Sequence, residues 1–431
     1  MSSFCEDPSR IEAFRSIAQR AVPGDQLNIT VLEWTRGHAV GQREHLALVS
    51  DLAKRPECQL RIIFAPLDVP QAESANGHLA LYERFAVPTA FLSGRLQSVS
   101  KSFGGRRDEH GTETSWFHFL AKNLTVQKLD NRLRIVDPYP SSHPLHRSQV
   151  SYNWIKSGYF LSSGGAGNAG VTLVCFGASQ ALVQRFERLL PHPAWEDVLR
   201  EPFVLHDIVV DELYLQLDNL AWSLADVFRE IESGTLNRAG ERDAAAGSIE
   251  FVPLHNVSKH IIYLKEASDA AVSLVDDLCA HHKRLTGEKP SLLSASIQDA
   301  LKYKKGLFQS TQLRLTSLEK RMQNIISLSF NLVNQQDSRI MQQDSGSMKT
   351  IAAMTLIFLP GTLIASLFSS NFFNFNVGSD GQSEVRLSSY FWVFWIIAVP
   401  LTVLTVVLWR LYQFSTREKL KNRPVRWRNF L

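Results

Sequence analysis

The chain changes character near residue 349. Before it, apolar residues come in short groups broken by charge, whereas two uncharged runs follow, Thr350 to Asn371 and Ser389 to Trp409, separated by a short polar stretch. Each run is about the 20 residues that a helix rising about 1.5 Å per residue needs to cross a hydrocarbon core of roughly 30 Å. The pattern predicts a transmembrane hairpin with a first span over 349–371, an external loop over 372–388 and a second span over 389–411. Pro360 and Pro400 fall within the runs, a break that membrane helices tolerate where neighbours or water satisfy the freed carbonyl. Tyr390, Trp392 and Trp395 near one end of the second span and Trp409 and Tyr412 at the other form an aromatic belt.

Upstream, residues 1–200 alternate between two patterns. "LNITVLEW" at 27–34 and "LRIIFAP" at 60–66 are short, rich in β-branched residues and bounded by turn formers, as strands are. "TAFLSG", "TSWFHFLAKNLTV", "SGYFLSS" and "VTLVCFG" are further strand candidates, interleaved with helical stretches such as "SQALVQRFERLL". The result is an α/β domain. Between two of these strands, "GAGNAG" (Gly165 to Gly170) matches the G-x-G-x-x-G fingerprint, but a strand rather than a helix follows it. The helix N-terminus that would meet a pyrophosphate is absent from that pattern, so the loop reads as a hairpin connection.

From residue 201 to 348 the period becomes helical. "FVLHDIVVDELYLQLDNLAWSLADVFREIE" repeats apolar residues at three and four, with Asp207, Asp211, Glu212, Asp218 and Asp226 between them. Those acids read as a solvated or inter-helix face, with a cation-sensing face as the sharper alternative. "SGTLNRAGERDAAAGS" then reads as a linker, and a second helix covers about Asn256 to Lys283. A third begins near Leu292 and meets no stop before the membrane. Its Leu315, Leu318, Met322, Ile325, Ser329 and Leu332 follow the alternating spacing of a coiled-coil seam, which calls for partners along it. Gly346 weakens this helix by about 1 kcal/mol without ending it.

Charge orients the hairpin. The tail over 412–431, with Arg410 just before it, is basic: Arg417, Lys419, Lys421, Arg423, Arg426 and Arg428 stand against Glu418 alone, whereas the loop holds Arg386 beside Asp380 and Glu384. Positive residues stay inside, so both termini are expected in the cytoplasm and the loop outside, with the plasma membrane as the expected location. Next to a span, such a tail suits anionic lipid headgroups better than nucleic acid. The start, "MSSFCEDPSRIEAF", has neither the apolar core of a secretory signal nor the acid-free composition of a transit peptide. Cys5, Cys58, Cys175 and Cys279 show no paired spacing, and "CAHH" at 279–282 reads as a helix end rather than a metal site. No GxSxG, HExxH or Walker loop occurs, so an enzyme is not expected.

A long helix feeding the first of two C-terminal spans, with a short outer loop and a basic tail, resembles the CorA family of divalent-cation channels. "MKTIAAMTLIFLPGTLIASLFSSNFF", Met348 to Phe373, is similar to the family's pore segment without a gap, from Met348 and Lys349 through Phe358, Pro360 and Thr362 to Asn371 and Phe372. "FVLHDIVVDELYLQLD" and "LHNVSKHIIYLKEA" resemble fungal CorA-like transporters. The resemblance implies a homo-oligomer, a pentamer, that carries Mg²⁺. Its pore would be lined by Met348, Ile351, Thr355, Leu359, Thr362 and Ser366, and Asn371 would hold the hydrated ion at the mouth. It implies no cofactor beyond Mg²⁺ itself, as cargo and as a regulator. One departure stands at the mouth: the family's Gly-Met-Asn is here Ser369-Ser370-Asn371. The Asn amide is kept, while Ser369 lacks the backbone freedom of glycine. The alternative is therefore a non-conducting, membrane-anchored sensor or assembly subunit on the same scaffold.

Overall fold

The computed structural model describes, apart from isolated positions, residues 24–68, 73–96, 99–129, 131–136, 153–164, 170–240, 251–368, 373–377, 383–387 and 391–421. The chain divides into two compact units, Met1–Ser329 and Phe330–Leu431.

Unit 1 opens on strands β1 (Gln26–Thr35), β2 (Gln42–Leu48) and β3 (Cys58–Ala65), with a 3-10 turn at Val49–Lys54. Helices α1 (Ala75–Arg84) and α2 (Thr89–Leu96) follow, then β4 (Lys101–Arg107), β5 (Glu113–Asn123), β6 (Thr125–Leu129), β7 (Arg132–Val136), β8 (Asn153–Ser163) and β9 (Val171–Phe176). Seven of these strands make one mixed sheet in the order β2-β1-β3-β9-β8-β5-β4, in which β3 and β9 are parallel. β8 and β9 are antiparallel neighbours, as a hairpin connection requires, although residues 165–169 of "GAGNAG" lie outside the described residues.

Both faces of the sheet are covered, which is why its central strands are apolar at nearly every position. On one face, Ile29 and Val31 of β1, Ile63 of β3 and Phe176 of β9 pack with Leu81 and Tyr82 of α1 and Phe91 of α2. The other face meets α3 (Gln180–Glu187), α4 (Trp195–Arg200) and the start of α5 (Phe203–Gly240), through Trp34, Ile62, Phe117 and Leu173 against Phe186, Trp195 and Phe203.

Two expectations change here. "TAFLSG" is the helix α2 and not a strand: adjacent Phe91 and Leu92 are both buried, which a strand facing one side cannot arrange, and Pro88 immediately precedes the first turn. "TSWFHFLAKNLTV" is two strands, β5 in the large sheet and β6 in a separate hairpin with β7. That hairpin turns through Asn131 at φ 61°, a left-handed conformation that asparagine tolerates.

Three long helices finish unit 1. α5 runs on to Gly240, through the first half of the expected linker, and α6 covers Phe251–Thr286. α7 is one uninterrupted helix of 77 residues, Leu292–Phe368, about 115 Å long at 1.5 Å per residue. Leu315, Leu318, Met322 and Ile325 of α7 lie in one core with Leu217, Leu224 and Phe228 of α5 and Ile261, Leu264 and Leu274 of α6. The heptad seam thus finds its partners inside its own chain.

Unit 2 contains the rest of α7, a hairpin of β10 (Phe373–Val377) with β11 (Ser383–Leu387), and α8 (Phe391–Lys421). The expected external loop therefore carries paired strands. The second helix continues through the first residues of the basic tail.

Candidate functional site

The apolar ends of α7 and α8 set the problem. The most apolar 18-residue window of each is 11% and 6% buried, whereas the core helix of a soluble protein would be mostly covered. Met348, Phe358 and Leu359 of α7 are 71, 66 and 67% exposed, and Trp392 and Leu408 of α8 are also bare. Continuous apolar surface on this scale calls for lipid or other subunits.

The two spans are not bare all round. On α7, Pro360 and Ile364 are buried and Ala353 and Leu356 half-buried; on α8, Ala398 is buried and Phe394, Thr402, Thr405, Val406 and Trp409 half-buried. Each set recurs at three and four residues, so each span has one shielded stripe.

Met348, Ile351, Thr355, Leu359, Thr362 and Ser366 are all exposed. At about 100° per residue they fall within an arc of roughly 80°, facing away from the Pro360 and Ile364 stripe. The polar members share a geometry. Thr355 donates its hydroxyl to the carbonyls of Ile351 and Ala352 at 2.9 and 3.0 Å, Thr362 to Leu359 at 3.0 Å and Ser366 to Leu363 at 2.8 Å. With the hydrogen committed to the helix, each oxygen keeps lone pairs that can accept hydrogen bonds, as the waters around a cation would offer them. Pro360 has no N–H for the carbonyl of Leu356, but that carbonyl lies on the shielded side of the helix. Ser369, Ser370 and Asn371 lie outside the described residues, between the end of α7 at Phe368 and the start of β10 at Phe373.

Three of the five acids of α5 are engaged by other helices and two by α5 itself. Lys304 of α7 reaches Asp207 at 2.5 Å and Arg314 reaches Asp218 at 2.6 Å, while Arg185 of α3 pairs with Asp211. Asp226 pairs with Arg229 at 2.8 Å and Glu212 accepts from Gln216 at 3.0 Å. These contacts give each acid a partner within unit 1. For Asp207 and Asp218 the sequence signal was a base on the third helix, Lys304 and Arg314, which becomes readable only once the partner helix is known. Among the described residues, no three His, Cys, Asp or Glu side chains are grouped to hold a metal.

The "CAHH" segment is a helix end. His281 Nδ1 accepts from Arg284 at 3.2 Å, and His282 Nε2 lies 3.2 Å from Glu201, which Ser294 also contacts. Burial works against the Glu201 carboxylate, but the bonds from His282 and Ser294 outweigh it and hold its pKa below the usual range. His206, fully enclosed beside Phe203 and Phe117, is driven down to about 3 by burial and, secondarily, by His281.

An α/β domain and a very long helix continuing into the first of two helices long and apolar enough to cross a membrane define the class: a large polar domain with two candidate C-terminal spans. Residues 199–412 match the family model described as CorA-like Mg2+ transporter protein, and this part of the chain belongs to that family. A curated relative, the Notoamide biosynthesis cluster protein M' of Aspergillus versicolor, is 27% identical over 217 residues. The match takes in 47% of this chain and 47% of that protein, so the chain spans about half the length of the curated relative it matches. Among solved structures, the CorA magnesium transporter of Methanocaldococcus jannaschii is 11% identical with a TM-score of 0.45, covering 89% of this chain and 97% of that one. The full-length CmaX protein is 14% identical, also with a TM-score of 0.45, covering 91% and 99%.

Proposed function

We propose that this chain is the subunit of a homo-oligomeric channel for divalent cations, Mg²⁺ foremost, with a pore built from the exposed stripe of α7. The observation that carries the reading is that stripe: six residues at helical spacing, uncharged, bare in the single chain and facing away from the span's shielded face. In a ring of subunits, a pentamer by family resemblance, Met348, Ile351 and Leu359 would form apolar constrictions that gate by dewetting. Thr355, Thr362 and Ser366 would offer acceptors to a hydrated ion. Asn371, flanked by Ser369 and Ser370, would stand at the mouth, where an amide suits an ion that gives up its water reluctantly. The basic end of the chain supports cytoplasmic termini in the plasma membrane, with the tail on anionic lipid.

Cysteine accessibility tests the stripe. Single cysteines at Ile351, Thr355, Thr362 and Ser366 should react with a water-soluble thiol reagent in the reconstituted oligomer, above the background of the native cysteines. Cysteines at Ile357 and Leu367, away from the stripe, should stay unlabelled. Equal labelling of both sets refutes the assignment. The serines before Asn371 motivate a second reading, a non-conducting subunit, which predicts a protected stripe and no flux.

A further inference from the structure

Unit 1 contains a cavity of about 330 Å³, bounded by β7, the last turns of α5 and the first turns of α6. Its size falls near the lower end of small-molecule sites. Arg132, Arg134 and Arg238 all line it. Elsewhere in unit 1 the arginines at Arg185, Arg229, Arg314 and Arg321 are tied to carboxylates. These three have no ion pair or side-chain hydrogen bond among the described residues.

Among the described residues, the single acid of the wall is already engaged. Glu230 Oε2 accepts the backbone N–H of Leu133 at 2.6 Å, which pins the carboxylate against β7. Three arginines less Glu230 leave a charge of +2 on the described residues around this cavity. The Asn256 carboxamide also borders it, and its Oδ1 is enclosed with no hydrogen-bond partner among the described residues. Which end of that amide faces inward is interchangeable by a half-turn, so the group can equally present N–H donors. The remaining wall is apolar, from Ile135, Ile231, Leu254 and Val257. Like charges gathered on a concave apolar surface repel one another until an anion joins them.

We propose that this cavity binds a small organic phosphate with an apolar body. A phosphate monoester carries about −1.5 to −2 charge at pH 7, which matches the surplus, and its oxygens suit the planar fork of a guanidinium. The body of the ligand lies on the aliphatic wall, and the Asn256 carboxamide supplies the uncharged polar contact. The site joins the end of α5 to the start of α6 and to the β6–β7 hairpin, so its occupant ties together three elements of unit 1.

The test is calorimetric titration of the full chain in nanodiscs of zwitterionic lipid, with phenyl phosphate, inorganic phosphate and phenol as separate probes. Phenyl phosphate should bind at least tenfold more tightly than either of the others, and it should raise the melting temperature as binding to the folded state requires. The double variant Arg134→Gln, Arg238→Gln should weaken it tenfold or more. Gly234→Leu provides an independent block: Gly234 lines the cavity, a Cβ there meets nothing within 4 Å, and leucine favours the helix. It too should weaken phenyl phosphate tenfold or more, with unliganded melting no lower than the parent's. No binding by the parent, or unchanged binding in both variants, overturns the site. Inorganic phosphate binding as tightly as phenyl phosphate overturns the apolar half of the proposal, and phenol doing so overturns the anionic half.

Discussion

His206 shows how strongly a single buried side chain can couple unit 1 to acidity. Its Nε2 lies 2.8 Å from the Ser115 hydroxyl and its Nδ1 is buried without a hydrogen-bond partner among the described residues, so a proton added there would be poorly solvated. With a folded pKa of about 3 against about 6.5 unfolded, both states are neutral above pH 6.5 and this residue is silent. Between 6.5 and 3 the unfolded chain binds a proton that the folded one refuses, so stability falls as pH drops; below about 3 the slope ends. The loss is at most about 1.4 kcal/mol per pH unit for one histidine. His260, lowered to about 4 by burial and by Lys259 and Lys122, acts in the same direction. Replacing His206 with Gln should therefore flatten the decline of melting temperature between pH 6.5 and 4, and an unchanged slope would contradict the assignment.

Among the elements, the seam of α7 makes the sharpest prediction, because its position in the chain decides what a charge there does. Leu318 and Met322 are 3% and 1% exposed inside unit 1. The double change Leu318→Asp, Met322→Asp should therefore cost several kcal/mol, on the order of 5 or more, and unfold the three-helix core rather than merely separate subunits. Thermal melting of the detergent-solubilised chain would reveal it, and a variant that melts like the parent while losing its oligomer would put the seam back between chains. The heptad spacing was legible in the sequence, but a heptad does not say whether the partner helix belongs to the same chain. The central strands β1, β3, β8 and β9 were equally legible, being apolar on both faces. Edge strands β2 (QREHLAL) and β4 (KSFGGRR) were not, because half or more of their residues are polar and neither alternates apolar with polar along its length. In α2 the difficulty was brevity: eight residues of mixed apolar character fit either period. The candidate pore stripe came from the resemblance to the family's pore segment, since spacing groups its residues on one face without saying what that face meets, whereas the shielded stripe on each span emerges only when the chain is folded.

For the whole molecule, the two-span arrangement predicts that tags before Met1 and after Leu431 are both protected in intact cells, while a tag near Gly378 is labelled from outside. Opposite labelling of the two termini would contradict the hairpin. The central claim, that the molecule conducts divalent cations past Asn371, is tested most directly by flux. The purified protein in proteoliposomes, under a membrane potential of about −100 mV that favours cation entry by roughly 2.3 kcal/mol per charge, should take up Mg²⁺, with Co²⁺ and Ni²⁺ as comparison ions. Asn371→Ala should abolish that uptake with oligomer size unchanged, while Asn374→Ala and Asn376→Ala, on β10 opposite Arg386 and Glu384, should conduct nearly as the parent does. A parent that carries no divalent ion, or an Asn371→Ala variant that carries Mg²⁺ as well as the parent, would contradict the account.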